Sequence, residues 1–97
     1  MHARVSFYDL SAEQADAGIE GFQSVQESVQ KMQGNQGGML LVDREGGKAI
    51  TITFWDSADD LQTSSEQATQ LRQQVAETAG LSIRSVESYE VAVQFGG

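Results

Sequence analysis

Met39-Leu40-Leu41-Val42-Asp43-Arg44-Glu45-Gly46-Gly47-Lys48-Ala49-Ile50-Thr51-Ile52-Thr53-Phe54-Trp55 is the stretch that decides the fold. It opens on a continuous apolar run, Met39 to Val42, and closes on Ala49 to Trp55, which is β-branched, aromatic and alternating. Both are the composition of strands. Between them, Gly46 and Gly47 can adopt the positive φ that a tight connection requires. The stretch therefore reads as an antiparallel hairpin. The glycine pair lacks the strand-to-helix setting of a phosphate loop and is a turn. Met39 and Leu41 oppose Leu40 and Val42 across the pleat, so the sheet is apolar on both faces and both need covering.

Upstream, Arg4 to Leu10 alternates, with Val5 and Phe7 on one face and Ser6 and Tyr8 on the other. That predicts a first strand. Ser11 ends it and forms a capping box with Gln14, each side chain satisfying an orphan backbone N–H of a helix start. Ala15, Ile19, Phe22, Val25, Val29 and Met32 then recur at helical spacing, and Gly34-Asn35 supplies a stop signal. The helix is expected over about 12–33. Gly18 and Gly21 within it mark either a close backbone crossing or a weakly formed first half, since each costs up to ~1 kcal/mol relative to Ala.

Downstream, Ser57 and Asp60 are spaced as a second capping box, and Asp56, Asp59 and Asp60 complement the positive end of a helix dipole. Asp59 and Asp60, adjacent on the helix, point about 100° apart and form no metal cage. Leu61, Ala68, Leu71, Val75 and Ala79 form the buried stripe, and Gly80 is a natural cap. Ser64 and Ser65 interrupt that stripe, as a solvated or bent turn or as a bend that lines a cavity. A last strand is expected from Ile83 to about Phe95. It exceeds the usual five or six residues, which predicts that it passes its own sheet and pairs with a second subunit.

The order is β-α-β-β-α-β, the ferredoxin-like α+β pattern, with four antiparallel strands and two helices on one face. The uncovered apolar face then meets a second copy, giving a homodimer with two sheets packed face to face. With 97 residues, the chain is expected to form one domain over 1–97. Such a length buries only about 60–65% of its unfolded surface, which also favours a partner subunit.

Composition excludes much chemistry. Fourteen Asp and Glu against six Lys and Arg give a net charge of −8, without the clustered cations that nucleic acid or an anionic membrane needs. There is no cysteine, hence no thiolate catalysis, disulfide or iron–sulfur cluster. The one histidine, His2, lies beside Met1, so the chain alone builds no histidine metal site or triad. No segment approaches ~18 continuous apolar residues, and a cytoplasmic location without membrane contact is expected.

The hairpin followed by Thr53-Phe54-Trp55-Asp56-Ser57, the terminal Ser88-Tyr89-Glu90-Val91 strand, the length and the element order together resemble the antibiotic biosynthesis monooxygenase superfamily. That resemblance covers nearly the whole chain and implies a dimeric α+β barrel. Its heme-degrading branch uses an Asn on the first strand and a Trp and a heme-ligating His on the second helix. The corresponding positions here fall near Ser6, Ser64 and Gln73, none of which matches, so heme degradation is not expected. The cofactor-independent branch oxidises phenols or quinols, using groups that favour a phenolate. Arg4, Tyr8, Trp55 and Arg72 have suitable chemistry. The resemblance thus implies an oxygenase without cofactor or metal, with Tyr8, Trp55 and Arg72 positioning a small aromatic ligand and Ser6, Ser64 and Gln73 as cleft candidates. The alternative is a non-catalytic small-molecule-binding, structural or regulatory dimer. Convergent polar groups on apolar walls would favour the first, and a cleft filled by Phe22, Leu61, Leu71 and Val75 the second.

Overall fold

The computed structural model describes residues 1–96. Its elements run β1 (His2–Asp9), α1 (Ala12–Gln30), β2 (Asn35–Asp43), β3 (Lys48–Trp55), α2 (Ala58–Thr63), α3 (Ser65–Ala79) and β4 (Ser82–Glu90). The strands form one antiparallel sheet in the order β2-β3-β1-β4, and the helices lie on one side of it. The ferredoxin-like expectation holds.

Local chemistry explains the boundaries. At the start of α1, Ser11 Oγ accepts from the Gln14 N–H and Gln14 Oε1 accepts from the Ser11 N–H, so the capping box is complete. The helix ends at Gln30 instead of about 33, because the chain tightens into a turn in which Asn35 N–H donates to the Met32 carbonyl and Gly34 takes φ +80°. In the hairpin, Asp43 Oδ1 accepts from Gly46 N–H at 2.8 Å and Gly47 adopts φ +70°. β2 starts at Asn35, four residues before the expected apolar run, across an irregularity between Asn35 and Gly38.

Two further expectations are corrected. The second helix is two helices, broken at Ser64, whose backbone N–H still bonds back to Asp60 O while Ala68 N–H bonds to Ser64 O. Asp60 N–H donates to Ser57 Oγ, the forward half of the second capping box. The last strand ends at Glu90 instead of about Phe95, because β1, its neighbour, supplies its last partner at His2. One further bond, Val91 N–H to Met1 O at 2.9 Å, follows, and Val93 and Phe95 are exposed.

Cross-strand register assigns the faces. Arg4 pairs with Thr53, Ser6 with Thr51 and Tyr8 with Ala49, and this set faces the helices. Val5 pairs with Ile52 and Phe7 with Ile50, while β2 places Met39 opposite Ile52 and Leu41 opposite Ile50. That apolar face lies away from the helices, with Met39 and Leu41 about half exposed. The dense core sits under one end of the helices, where Tyr8, Leu10, Ala15, Ala49, Ala76, Ala79 and Leu81 pack together. Its alanines let α1 and α3 approach closely. A Cβ on Gly18 would meet Leu81 Cδ1 at 3.4 Å and one on Gly21 would meet Val75 Cγ1 at 2.8 Å, so these glycines mark a close crossing.

Because Val75 is buried and β-branched, a larger residue at Gly21 must displace α3. Gly21→Leu should destabilise the fold by about 1–3 kcal/mol, read as a lowered urea midpoint with an unchanged denaturant slope.

Candidate functional site

Beside Arg4 and Trp55, part of the sheet stands apart from α1 and α3. There the sheet presents Arg4, Ser6, Thr51 and Thr53, whereas the roof presents Ile19, Phe22, Val29 and Leu71. A polar floor under an apolar roof gains little by collapse, since buried polar groups left without hydrogen-bond partners are costly. Between them lies a cavity of about 630 Å³, within the range of about 300–1,000 Å³ that small-molecule sites occupy. Asn35 stands at one edge, held by donation from Nδ2 to Phe54 O and by acceptance at Oδ1 from Gly37 N–H.

Arg4 organises the polar end. It is buried, with 5% of its surface exposed. Its Nη2 donates to Leu61 O at 2.5 Å, to Ser64 Oγ at 3.1 Å and to Ser65 Oγ at 3.2 Å. Its guanidinium lies 5.3 Å from the centre of the Trp55 ring, a distance at which the ring face attracts a cation. Trp55 is fully buried and donates its indole N–H to Thr53 Oγ1 at 3.0 Å. Burial, and secondarily the positive charge of Arg72, pushes the Arg4 guanidinium below its ordinary value, yet an arginine stays charged at neutral pH. The surface ion pairs are Lys31–Glu27, Arg44–Asp16 and Arg84–Asp9. Among the described residues, neither Arg4 nor Arg72 belongs to one.

Of the residues singled out from sequence, Ser6, Tyr8, Trp55 and Arg72 all line this cavity. Tyr8 is buried, makes an edge-on contact with Phe22 at 5.4 Å and places its hydroxyl 3.4 Å from Thr51 Oγ1. Ser64 stands one step behind the wall, its hydroxyl donating to Leu61 O at 2.8 Å while accepting from Arg4. Gln73 is corrected: it lies on the exposed side of α3 and is not in the lining, because the inward side of α3 is taken by Leu71, Val75, Ala76 and Ala79. Arg4 has greater structural weight than its sequence suggested, and the signal for it was its sharing of one strand face with Ser6 and Tyr8.

No family model matches the chain. An uncharacterised protein of Mycobacterium tuberculosis, found in two strains, is 34% identical over 93 residues, 95% of this chain. The chain spans 41% of that relative's length. Among solved structures, a protein of Deinococcus radiodurans described as an antibiotic biosynthesis monooxygenase matches with a TM-score of 0.76 at 17% identity, over 100% of both chains. The chain has the antibiotic biosynthesis monooxygenase fold. A cofactor-independent oxygenase from Streptomyces nogalater shares that fold at TM-score 0.76 and 13% identity, covering 99% of this chain and 97% of that one. So does a heme degrader of M. tuberculosis with two hemes in its active site, at 0.75 and 17%, covering 99% and 100%. One antibiotic biosynthesis monooxygenase fold thus supports different chemistries, and the side chains of the cavity must decide between them.

Ser64→Ala removes a buried hydroxyl that joins Arg4 to the helix break, and should cost about 1–2 kcal/mol. Gln73→Ala, at an exposed position, should stay within about 0.5 kcal/mol. Paired chemical denaturation curves check the contrast.

Proposed function

We propose that the cavity binds a small aromatic phenol or quinol and that the chain is a cofactor-independent monooxygenase acting on it. The observation that carries this reading is that Arg4, Arg72, Ser6 and Tyr8 all line one cavity whose roof is apolar. An opposite charge within about 4–6 Å favours the ionised form of a phenol, and the phenolate is the electron-rich form that reacts with oxygen. Arg4 is held rigidly by Leu61, Ser64 and Ser65, so its field needs no reorganisation when the substrate ionises. Phe22 in the roof offers a ring contact, while the fully buried Trp55 supports Arg4. For a phenol bearing a ring methylene the substrate supplies all the electrons: one oxygen atom becomes the ring carbonyl and the other leaves as water with both methylene hydrogens.

A second reading, binding without catalysis, is favoured by one observation. The lining contains no carboxylate, lysine or histidine to act as general base. We also propose that the exposed apolar sheet face, with Met39, Leu41 and Tyr89, is covered by a second copy of the chain, so that the functional unit is a homodimer. Nucleic acid and membrane are not among the proposed partners, and a cytoplasmic location fits the acidic surface. No helix among the described residues is long and apolar enough to cross a membrane.

A panel of phenols and quinols should raise the melting temperature and consume oxygen. Stabilisation without oxygen uptake would select the binding-only reading, and neither effect would remove both. Sedimentation at micromolar protein should give twice the mass of one chain, and a monomer would contradict the dimer.

A further inference from the structure

We propose that the ligand carries a permanent carboxylate on its aromatic frame, and that Arg4 and Arg72 together receive it. This rests on the reading of the cavity as an aromatic-ligand site and changes what the two arginines face there, a ring carboxylate in place of the phenol oxygen.

Charge distribution is the first ground. The chain has 14 acidic and six basic residues, yet the cavity lining holds two arginines and no acid. Two of the few cations therefore line one hole in an acidic protein, which concentrates positive potential where a ligand would sit.

Hydrogen bonding is the second. The three protein acceptors of Arg4 are a carbonyl and two hydroxyls, all neutral, and all are reached from Nη2. Arg4 itself lines the cavity, and its bonds to Leu61, Ser64 and Ser65 use Nη2 alone. A cation this deeply buried, with no counter-charge and a second cation nearby, is costly. The planar guanidinium fork matches the two oxygens of a carboxylate, and such pairs are stronger than bonds to neutral groups. A neutral phenol leaves both charges uncompensated, and a phenolate offers a single oxygen. The roof residues Ile19, Phe22 and Leu71 complete the site with an apolar surface for the ring.

Calorimetric titration at neutral pH with 2-naphthoate, 2-naphthol and 2-naphthamide separates the headgroup from the ring. Trp55, the single tryptophan, lies in the cavity wall, so its fluorescence reports occupancy independently. The naphthoate should bind about tenfold or more tighter than the two neutral probes. Arg4→Gln and Arg72→Gln should each remove about tenfold of that affinity and leave the naphthamide unchanged. If Arg4→Gln does not fold, Arg72→Gln, on the partly exposed face of α3, decides. Equal affinity for all three probes, or a naphthoate preference that survives Arg72→Gln, would overturn the carboxylate anchor while leaving the aromatic reading standing. Failure of every probe to bind would overturn both.

Discussion

The Arg4 guanidinium lies beneath the Leu61 carbonyl and beside the Trp55 ring, and the neighbouring structure is arranged around giving that charge a place. A buried cation needs hydrogen-bond acceptors, and β1 cannot supply them because its own carbonyls are committed to the sheet. The chain answers by interrupting the second helical segment. Ser64 and Ser65 stand where an apolar pair would continue the stripe from Leu61, and both hydroxyls turn toward Arg4. The break between α2 and α3, the orientation of Trp55 and the polar floor of the cavity are thus one device. It leaves space under α1 because the apolar residues of the roof find no apolar surface opposite.

Function follows from what the device leaves incomplete. Neutral acceptors satisfy one nitrogen of Arg4 and do not neutralise it, while Arg72 adds charge of the same sign. On the proposed reading, the cavity is organised for an anionic or ionisable aromatic molecule before any ligand arrives. Holding the charge fixed in advance is what distinguishes a preorganised site from a surface patch. The same fold in other chains serves a cofactor-independent oxygenase and a heme degrader. Here Ser6 lines the cavity, Ser64 is a buried structural serine and Gln73 is exposed.

The parts of the structure that depend on neighbouring residues were legible in the sequence. The Gly46-Gly47 hairpin and the Ser11–Gln14 box are local, and both form as read. The period-two pattern placed Ser6 and Tyr8 together but could not say which face of β1 the helices cover, since Val5 and Phe7 would have served equally well as a core face. Ends set by tertiary pairing were less legible. Residues 91–95 keep an alternating pattern yet have no strand beside them, and α1 stops early because Gly34 and Asn35 turn toward β3. Gln73 came from the resemblance and not from periodicity, and it lies on the exposed side of α3, whereas the stripe counted through Leu61, Val75 and Ala79 is buried as read.

The central claim is that a buried, unpaired arginine under the helix break anchors the ligand within a single subunit. A crystal structure of the chain with 2-naphthoate tests it most directly. The carboxylate should lie within hydrogen-bond distance of Arg4, with its ring against Phe22 and Leu71. A ring bound with its carboxylate turned toward solvent, or a ligand seated on the outer sheet face beside Met39 and Leu41, would contradict it.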